Sequence, residues 1–360
     1  MAPPSADVDL ASERLVTPIV SKNSSASRLN EPLKYTGTLD DYKHFDVTSV
    51  IGLEFPKLQL TDILHDDAKI RDLAVLEVSQ RGVVFFRNQS IDIDGQKLLG
   101  QKLGELTGKP ITSGLHRHAL SNSKRGIAVD ENGRLDDEIS VISSEQNRKF
   151  YQDRFTAASK KISSHGWHAD ITFEHIPSDY AILKIIKTPE DAGGDTLWAS
   201  GYEAYDRLSP AFQRLAESLT ATHYQPAFNE VKAKFGEDLI DEFRGAPENT
   251  GLEFKAEHPV IRTNPVTGWK SLFGAGHQVH AGWYNGVTER ESDILKDYFN
   301  QIIFENHDLQ VRFRWNQNDL AIWDNDYAGK RQGNRVVSLG EKPYFDPSSV
   351  SRREALGQTQ

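Results

Sequence analysis

Apolar positions along this chain follow two rhythms, and each predicts a different kind of element. Spacing of three or four residues predicts helices. Leu98, Leu99 and Leu103 keep it within IDGQKLLGQKLGEL, and Ile294, Leu295, Tyr298, Phe299, Ile302 and Ile303 keep it after Thr288. Thr288-Glu289-Arg290-Glu291 has the form of a capping box and sets the start of that second helix. Ser209-Pro210 predicts another helix start, with Phe212, Leu215 and Leu219 as its apolar face. Elsewhere the apolar residues gather in short runs, which predict strands. These are VVFFR after the Arg81-Gly82 turn, WHADITF (167–173), YAILKIIK (180–187), HPVIRT (258–263), VRFRW (311–315), DLAIWD (319–324) and RVVSLG (335–340).

Many short strands with helices at the periphery predict a mainly β fold, a sandwich or jelly roll rather than a doubly wound sheet. There is no internal repeat. Residues 1–30 are rich in Ser, Pro and Ala and are expected to form a flexible leader. Residues 119–160 are polar and broken by Gly, Asn and Ser, so a long loop is expected there. The charged, weakly amphipathic segment 224–256 lies between core strands and is expected to be an insertion over one end of the sheet, a lid. The remainder, 31–350, is expected to form one domain.

Composition narrows the function. The chain has no cysteine, which excludes disulfides, thiolate metal sites and cysteine nucleophiles. Its net charge of −10, without a basic block, argues against nucleic-acid binding. No apolar run approaches a membrane span, and MAPPSADVDLASERLV lacks the apolar core of a secretory signal. A cytoplasmic location is expected.

The candidate chemistry begins at His168-Ala169-Asp170. In a strand, residues two apart share a face, so this imidazole and carboxylate would converge. Two histidines and one carboxylate on one side of Fe(II) leave positions open for substrate and O₂. His-x-Asp alone is also what ordinary core packing produces. Its context here is GWHADITFE, AGGDTLWAS, HPVIRTNPVTGWKSLF and VRFRWNQNDLAIWDN, followed by Asp326-Tyr327 and further basic residues, in that order.

With these motifs the chain resembles the taurine dioxygenase family of Fe(II)/2-oxoglutarate-dependent oxygenases, and most of all its fungal sulfonate dioxygenase branch. The resemblance runs from about Glu31 to about Pro347. It implies a double-stranded β-helix (jelly-roll) core, Fe(II) as metal, 2-oxoglutarate as cosubstrate, and homo-oligomers. His168 and Asp170 match the first two iron ligands. Thr196, in GGDT, matches the residue that hydrogen-bonds the cosubstrate. Arg331 matches the arginine that clamps the distal carboxylate of 2-oxoglutarate, a task that suits a bidentate guanidinium. Arg335 matches the arginine that takes the substrate sulfonate, and its even spacing from Arg331 would put both on one strand face. The stretch 115–118 matches the region that offers a histidine to the sulfonate; His116 is preferred there, with His118 the alternative. His165, His175 and His277 match no functional position.

The implied reaction consumes O₂ and 2-oxoglutarate and releases succinate and CO₂. It hydroxylates the carbon bearing the sulfonate of a small organic anion, and the product collapses to an aldehyde and sulfite. One departure stands out. In the family the WDNR motif is followed by a histidine and then by a DY pair. Here AIWDN runs directly into Asp326-Tyr327, and the twelve histidines end at His307. The third iron ligand is therefore missing from its expected place. Three alternatives follow: an active dioxygenase, with a substitute ligand such as His277 or His280; an impaired relative that retains only anion or cosubstrate binding; or a β-sandwich scaffold in which His-x-Asp is structural.

Overall fold

The computed structural model describes residues 31–120, 136–142, 166–188, 193–236, 238–324 and 332–358. The expected leader and Arg331 lie outside these residues. The strands are β1 (Phe45–Asp46), β2 (Leu53–Phe55), β3 (Val83–Phe86), β4 (Ile139–Ile142), β5 (Ser178–Lys187), β6 (Thr196–Ala199) and β7 (Thr220–Tyr224). They continue with β8 (Lys255–Pro259), β9 (Ile261–Thr263), β10 (Lys270–Leu272), β11 (Trp283–Tyr284), β12 (Gln310–Phe313), β13 (Leu320–Trp323) and β14 (Gln332–Leu339).

Seven of them form one sheet in the order β1-β2-β3-β13-β5-β14-β4. All its neighbours are antiparallel except β2 and β3. The shorter sheets are β11-β7-β8, β12-β6 and β10-β9. The core is β-rich, and the strand alternation explains how it divides. Val84, Phe86, Ile182, Leu320, Ile322 and Val336 point to one face, where Leu60, Ile70, Leu99 and Leu103 of the helical segments cover them. Val83, Phe85, Leu183, Trp323, Val337 and Leu339 point to the other, against Trp198, Phe313 and Trp315. A third cluster joins Val260 and Leu272 to Phe299 and Ile303 of helix Glu289–Glu305. Arg335 shares the parity of Val337 and Leu339, which places it on the second face of β14.

The structure corrects several expectations. WHADITF is not a strand; residues 170–173 form a turn. HPVIRT is divided between β8 and β9. The expected loop 119–160 contains β4, an edge strand of the main sheet. Helix Pro210–Glu217 forms with Ser209 as its N-cap, yet Phe212 and Leu215 are 37% and 39% exposed, and Ala216 is its buried residue. Ile294 likewise turns outward on helix Glu289–Glu305, whose capping box forms as the sequence predicts. Among the described residues, no helix is long and apolar enough to cross a membrane.

Phe85 is fully buried, stacked on Phe313 with ring centroids 4.0 Å apart and edge-on to Trp198 at 5.3 Å. Phe85→Ala leaves a cavity that close-packed neighbours fill only in part, so the chain should lose about 3–5 kcal/mol of stability. Equilibrium urea unfolding checks this through a lower midpoint at unchanged slope.

Candidate active site

The site is assembled on the turn that follows Trp167. Ile171 has φ 50°, a left-handed conformation that costs a β-branched residue strain. The sharp turn, rather than strand alternation, brings the Nε2 of His168 to 3.6 Å from Asp170 Oδ1. The other ring nitrogen of His168, Nδ1, donates to the carbonyl of Gly166 at 2.8 Å, so Nε2 is the nitrogen that faces Asp170; burial opposes a second proton on the ring, but the contact with Asp170 outweighs it and raises the pKa. His258 supports the turn from β8. Its Nε2–H is shared between the carbonyls of Thr172 (2.9 Å) and Glu174 (3.0 Å), and burial pushes its pKa down to about 3.

Arg335 reaches the same carboxylate, its Nη1 donating to Asp170 Oδ1 at 2.6 Å. Burial by itself would raise the Asp170 pKa, but the charge of Arg335 and the contact with His168 outweigh it and hold the group at about 2. Asp170 Oδ2 and Arg335 Nε are buried without a hydrogen-bond partner. His168, Asp170 and Arg335 are thus brought into contact.

His116 lies one shell away. Its backbone N–H donates to Val337 of β14 at 2.9 Å, and its ring meets Glu174, Nε2 to Oε1 at 3.2 Å. His118 turns elsewhere, accepting from the backbone of Leu120 and lying edge-on to Phe228. Thr196, at the start of β6, is fully buried, and its hydroxyl accepts from the Trp315 indole at 2.9 Å rather than meeting the trio.

Two functional-looking groups escaped the sequence patterns. Glu174 and Arg244 form a bidentate buried pair, Nε to Oε1 at 2.6 Å and Nη2 to Oε2 at 2.8 Å. Arg244 also donates to the carbonyls of Ile240 and Gly251. Gly245 is held close against this region, and a Cβ there would come within 2.3 Å of the Leu115 carbonyl oxygen. The signals available were Glu174 within the same motif as His168 and a lone Arg-Gly pair in a charged segment, neither of which carries periodicity.

A model of the taurine catabolism dioxygenase TauD, TfdA family matches residues 42–328. The chain belongs to this family. It is 47% identical over 352 residues to the alpha-ketoglutarate-dependent dioxygenase btcD of Neocamarosporium betae, covering 91% of this chain and 99% of that protein. It is 30% identical over 286 residues to an alpha-ketoglutarate-dependent sulfonate dioxygenase of Saccharomyces cerevisiae, covering 78% of this chain and 60% of that one. Among solved structures, a taurine dioxygenase from Burkholderia xenovorans superposes with TM-score 0.59 at 23% identity, over 85% of this chain and 92% of that one. The chain is therefore a member of an enzyme family that uses Fe(II) and 2-oxoglutarate.

The TauD-family site in this chain suits a divalent metal at two positions. A metal that displaces the proton from His168 would meet Nε2, since Nδ1 is committed to Gly166, and Asp170 offers a buried oxygen without a partner. Among the described residues, the third position is not supplied. Among the described residues no group of three His, Cys, Asp or Glu side chains is placed to hold a metal ion. Segment 325–331, outside the described residues, contains no histidine. His277 lies nearest in kind, with its ring 6.4 Å from that of His168.

A polar cavity of about 30 Å³ adjoins Ala169 and is lined also by Arg262, Asn264 and Asp324. It has room for a water molecule or two. A larger cleft of about 420 Å³, around Tyr205, Lys270 and Arg353, contains none of the candidate residues. In the small cavity, burial and the nearby Asp179 raise the Asp324 pKa from 3.8 to about 7 against the pull of Arg262. The folded chain therefore binds this proton more tightly than the unfolded chain does. The resulting stability is complete below pH 3.8 and is lost as pH rises through 7. Asp324→Asn keeps an acceptor for Asn264 and removes the ionisation. Its stability relative to the parent should improve by on the order of 2 kcal/mol between pH 5 and pH 8, as measured by thermal unfolding at the two pH values.

Proposed function

We propose that this chain is a dioxygenase for a small organic anion, most simply a sulfonate, with His168 and Asp170 as its metal-holding residues. The observation that carries this is the paired arrangement of His168 Nε2 and Asp170, with Nδ1 committed to Gly166 and Oδ2 left free. The sulfonate assignment rests on relatives such as the yeast enzyme and on a part-buried guanidinium, Arg335, beside that pair. We further propose a jelly-roll core within one domain, 31–350, with Thr196 and Arg331 as cosubstrate residues.

When bound, Fe(II) with 2-oxoglutarate supplies the oxidation of a C–H bond to an alcohol. The rest falls to the protein. Arg335 is bound to Asp170 through a charge-assisted hydrogen bond, and an incoming anion competes for that guanidinium. Exchange of Arg335 from Asp170 to the anion frees the carboxylate for the metal and orients the substrate in the same motion. Trp323, Phe173 and Trp198 give the interior face an apolar lining that keeps water out. His116 is a further substrate contact. Segment 224–256 is a fixed wall on one side of the site, anchored at Arg244 and Gly245 and by Phe228 of helix Ala227–Phe235, which packs on Phe173 and Phe254.

An impaired family member, binding anions without turnover, is the second hypothesis. The lack of a histidine after His307 favours it. Anaerobic titration with Fe(II) and 2-oxoglutarate separates the two. A visible charge-transfer band at stoichiometric iron supports the enzyme. Its absence, with recovery when a histidine-containing segment is inserted between Asn325 and Asp326, supports impairment.

His168→Ala and Asp170→Ala should each abolish the band and any succinate release, and unchanged succinate release would sink the metal assignment. Arg335→Ala should weaken binding of a sulfonate about tenfold or more while leaving 2-oxoglutarate affinity within about twofold. Isothermal titration of the two ligands separates these effects.

A further inference from the structure

The proposal concerns what His116 can recognise, and it rests on the substrate site described above. Glu174 is held in a bidentate pair by Arg244, through Nε at 2.6 Å and Nη2 at 2.8 Å, so it is an ionised carboxylate. An ionised carboxylate only accepts hydrogen bonds. The His116 nitrogen that meets it, Nε2 at 3.2 Å, must therefore carry the hydrogen. Burial opposes a second proton on the ring; the Glu174 carboxylate favours one, but burial, with the positive charges of Arg244 and Arg335, outweighs it and lowers the pKa. The ring is thereby left neutral, with its lone pair on Nδ1. That atom is buried and has no hydrogen-bond partner. A buried acceptor without a donor is unfavourable, and binding of a donor would relieve it.

A sulfonate or carboxylate presents only acceptor oxygens and would be repelled by this lone pair. We propose that His116 serves as a hydrogen-bond acceptor for a hydroxyl or ammonium group of the substrate, fixed in that role by the Glu174–Arg244 pair, while Arg335 takes the anionic group. This departs from the expectation that His116 contacts the sulfonate itself. The substrate class is then narrowed to small organic anions that carry a donor in addition to the acid. Glu174 and Arg244 become positioning residues, acting on the substrate only through the tautomer of His116.

The first test reads the tautomer in the full chain. Histidine-ring ¹⁵N labelling and two-bond ¹H–¹⁵N correlation, assigned with His116→Asn, should find Nδ1 of His116 non-protonated and Nε2 protonated at neutral pH. Glu174→Gln should release the lock and move both resonances toward the averaged range. A protonated Nδ1 in the parent chain overturns the proposal. The second test compares two ligands that differ by one hydroxyl, hydroxyethanesulfonate and ethanesulfonate, by calorimetric titration. The hydroxylated ligand should bind about tenfold tighter, and His116→Phe should abolish that preference. Equal affinities in the parent overturn this proposal alone. Failure of both ligands to bind the parent overturns the substrate site beneath it and this proposal with it. The tautomer measurement needs no variant beyond the assignment, so a misfolded His116→Phe chain would still leave the proposal open to refutation.

Discussion

Taking a carboxylate out of water is costly unless charged and polar partners surround it, and at Glu174 those partners come from two other parts of the chain. Arg244 arrives from the insertion between β7 and β8, and His116 from the segment beside β14. Glu174 itself ends the turn that carries His168 and Asp170. Removing Arg244 would leave the Glu174 charge uncompensated in a low-dielectric interior, a cost of about 3–5 kcal/mol for a broken buried pair. The three segments are thus held in one relative placement. Asn249 adds to this by exchanging hydrogen bonds with the backbone of Ile176, at 2.9 Å and 2.8 Å. Phe228 packs edge-on to Phe173 and Phe254.

A second carboxylate, Asp170, lives under the same constraint and answers it differently. Its partners are the Arg335 guanidinium and the edge of His168, so its negative charge is offset by a side chain that the proposed substrate would also engage. A metal cation and Arg335 are alternative neutralisers of one carboxylate. An anionic substrate that draws Arg335 away strengthens the claim of the metal, which couples occupancy of the two sites through charge alone.

Several features were legible in the chain itself. The runs at β3, β5 and β13 are largely apolar on both faces because both faces of the main sheet are covered, and such runs read clearly as strands. The capping box at Thr288 forms because its hydrogen bonds are local, between residues three apart. Family membership was legible too, since ordered motifs survive wherever backbone geometry depends on neighbours in sequence. The errors fall where local preference was overruled. WHADITF has strand-like composition, but Ile171 bends its backbone into the left-handed region and His258, distant in sequence, holds the bend through the carbonyls of Thr172 and Glu174. Phe212 and Leu215 have helical spacing, yet the helix turns Ala216 inward, and Phe212 stays half-exposed against Tyr298, ring centroids 4.8 Å apart.

The sequence by itself determined the family, the main strands, the identity of the acid and imidazole at the site, and the absence of a histidine beyond His307. These depend on residue identity and on contacts between near neighbours. Only the tertiary structure decided that Glu174 meets Arg244, that Arg335 meets Asp170 and that His116 keeps an unpartnered nitrogen. Those contacts join residues 70, 165 and 58 positions apart for the three pairs Glu174–Arg244, Asp170–Arg335 and His116–Glu174. No periodicity spans such separations. What selects these partners is the cost of leaving a buried charge alone, and that cost exists only once the sheet has closed around them.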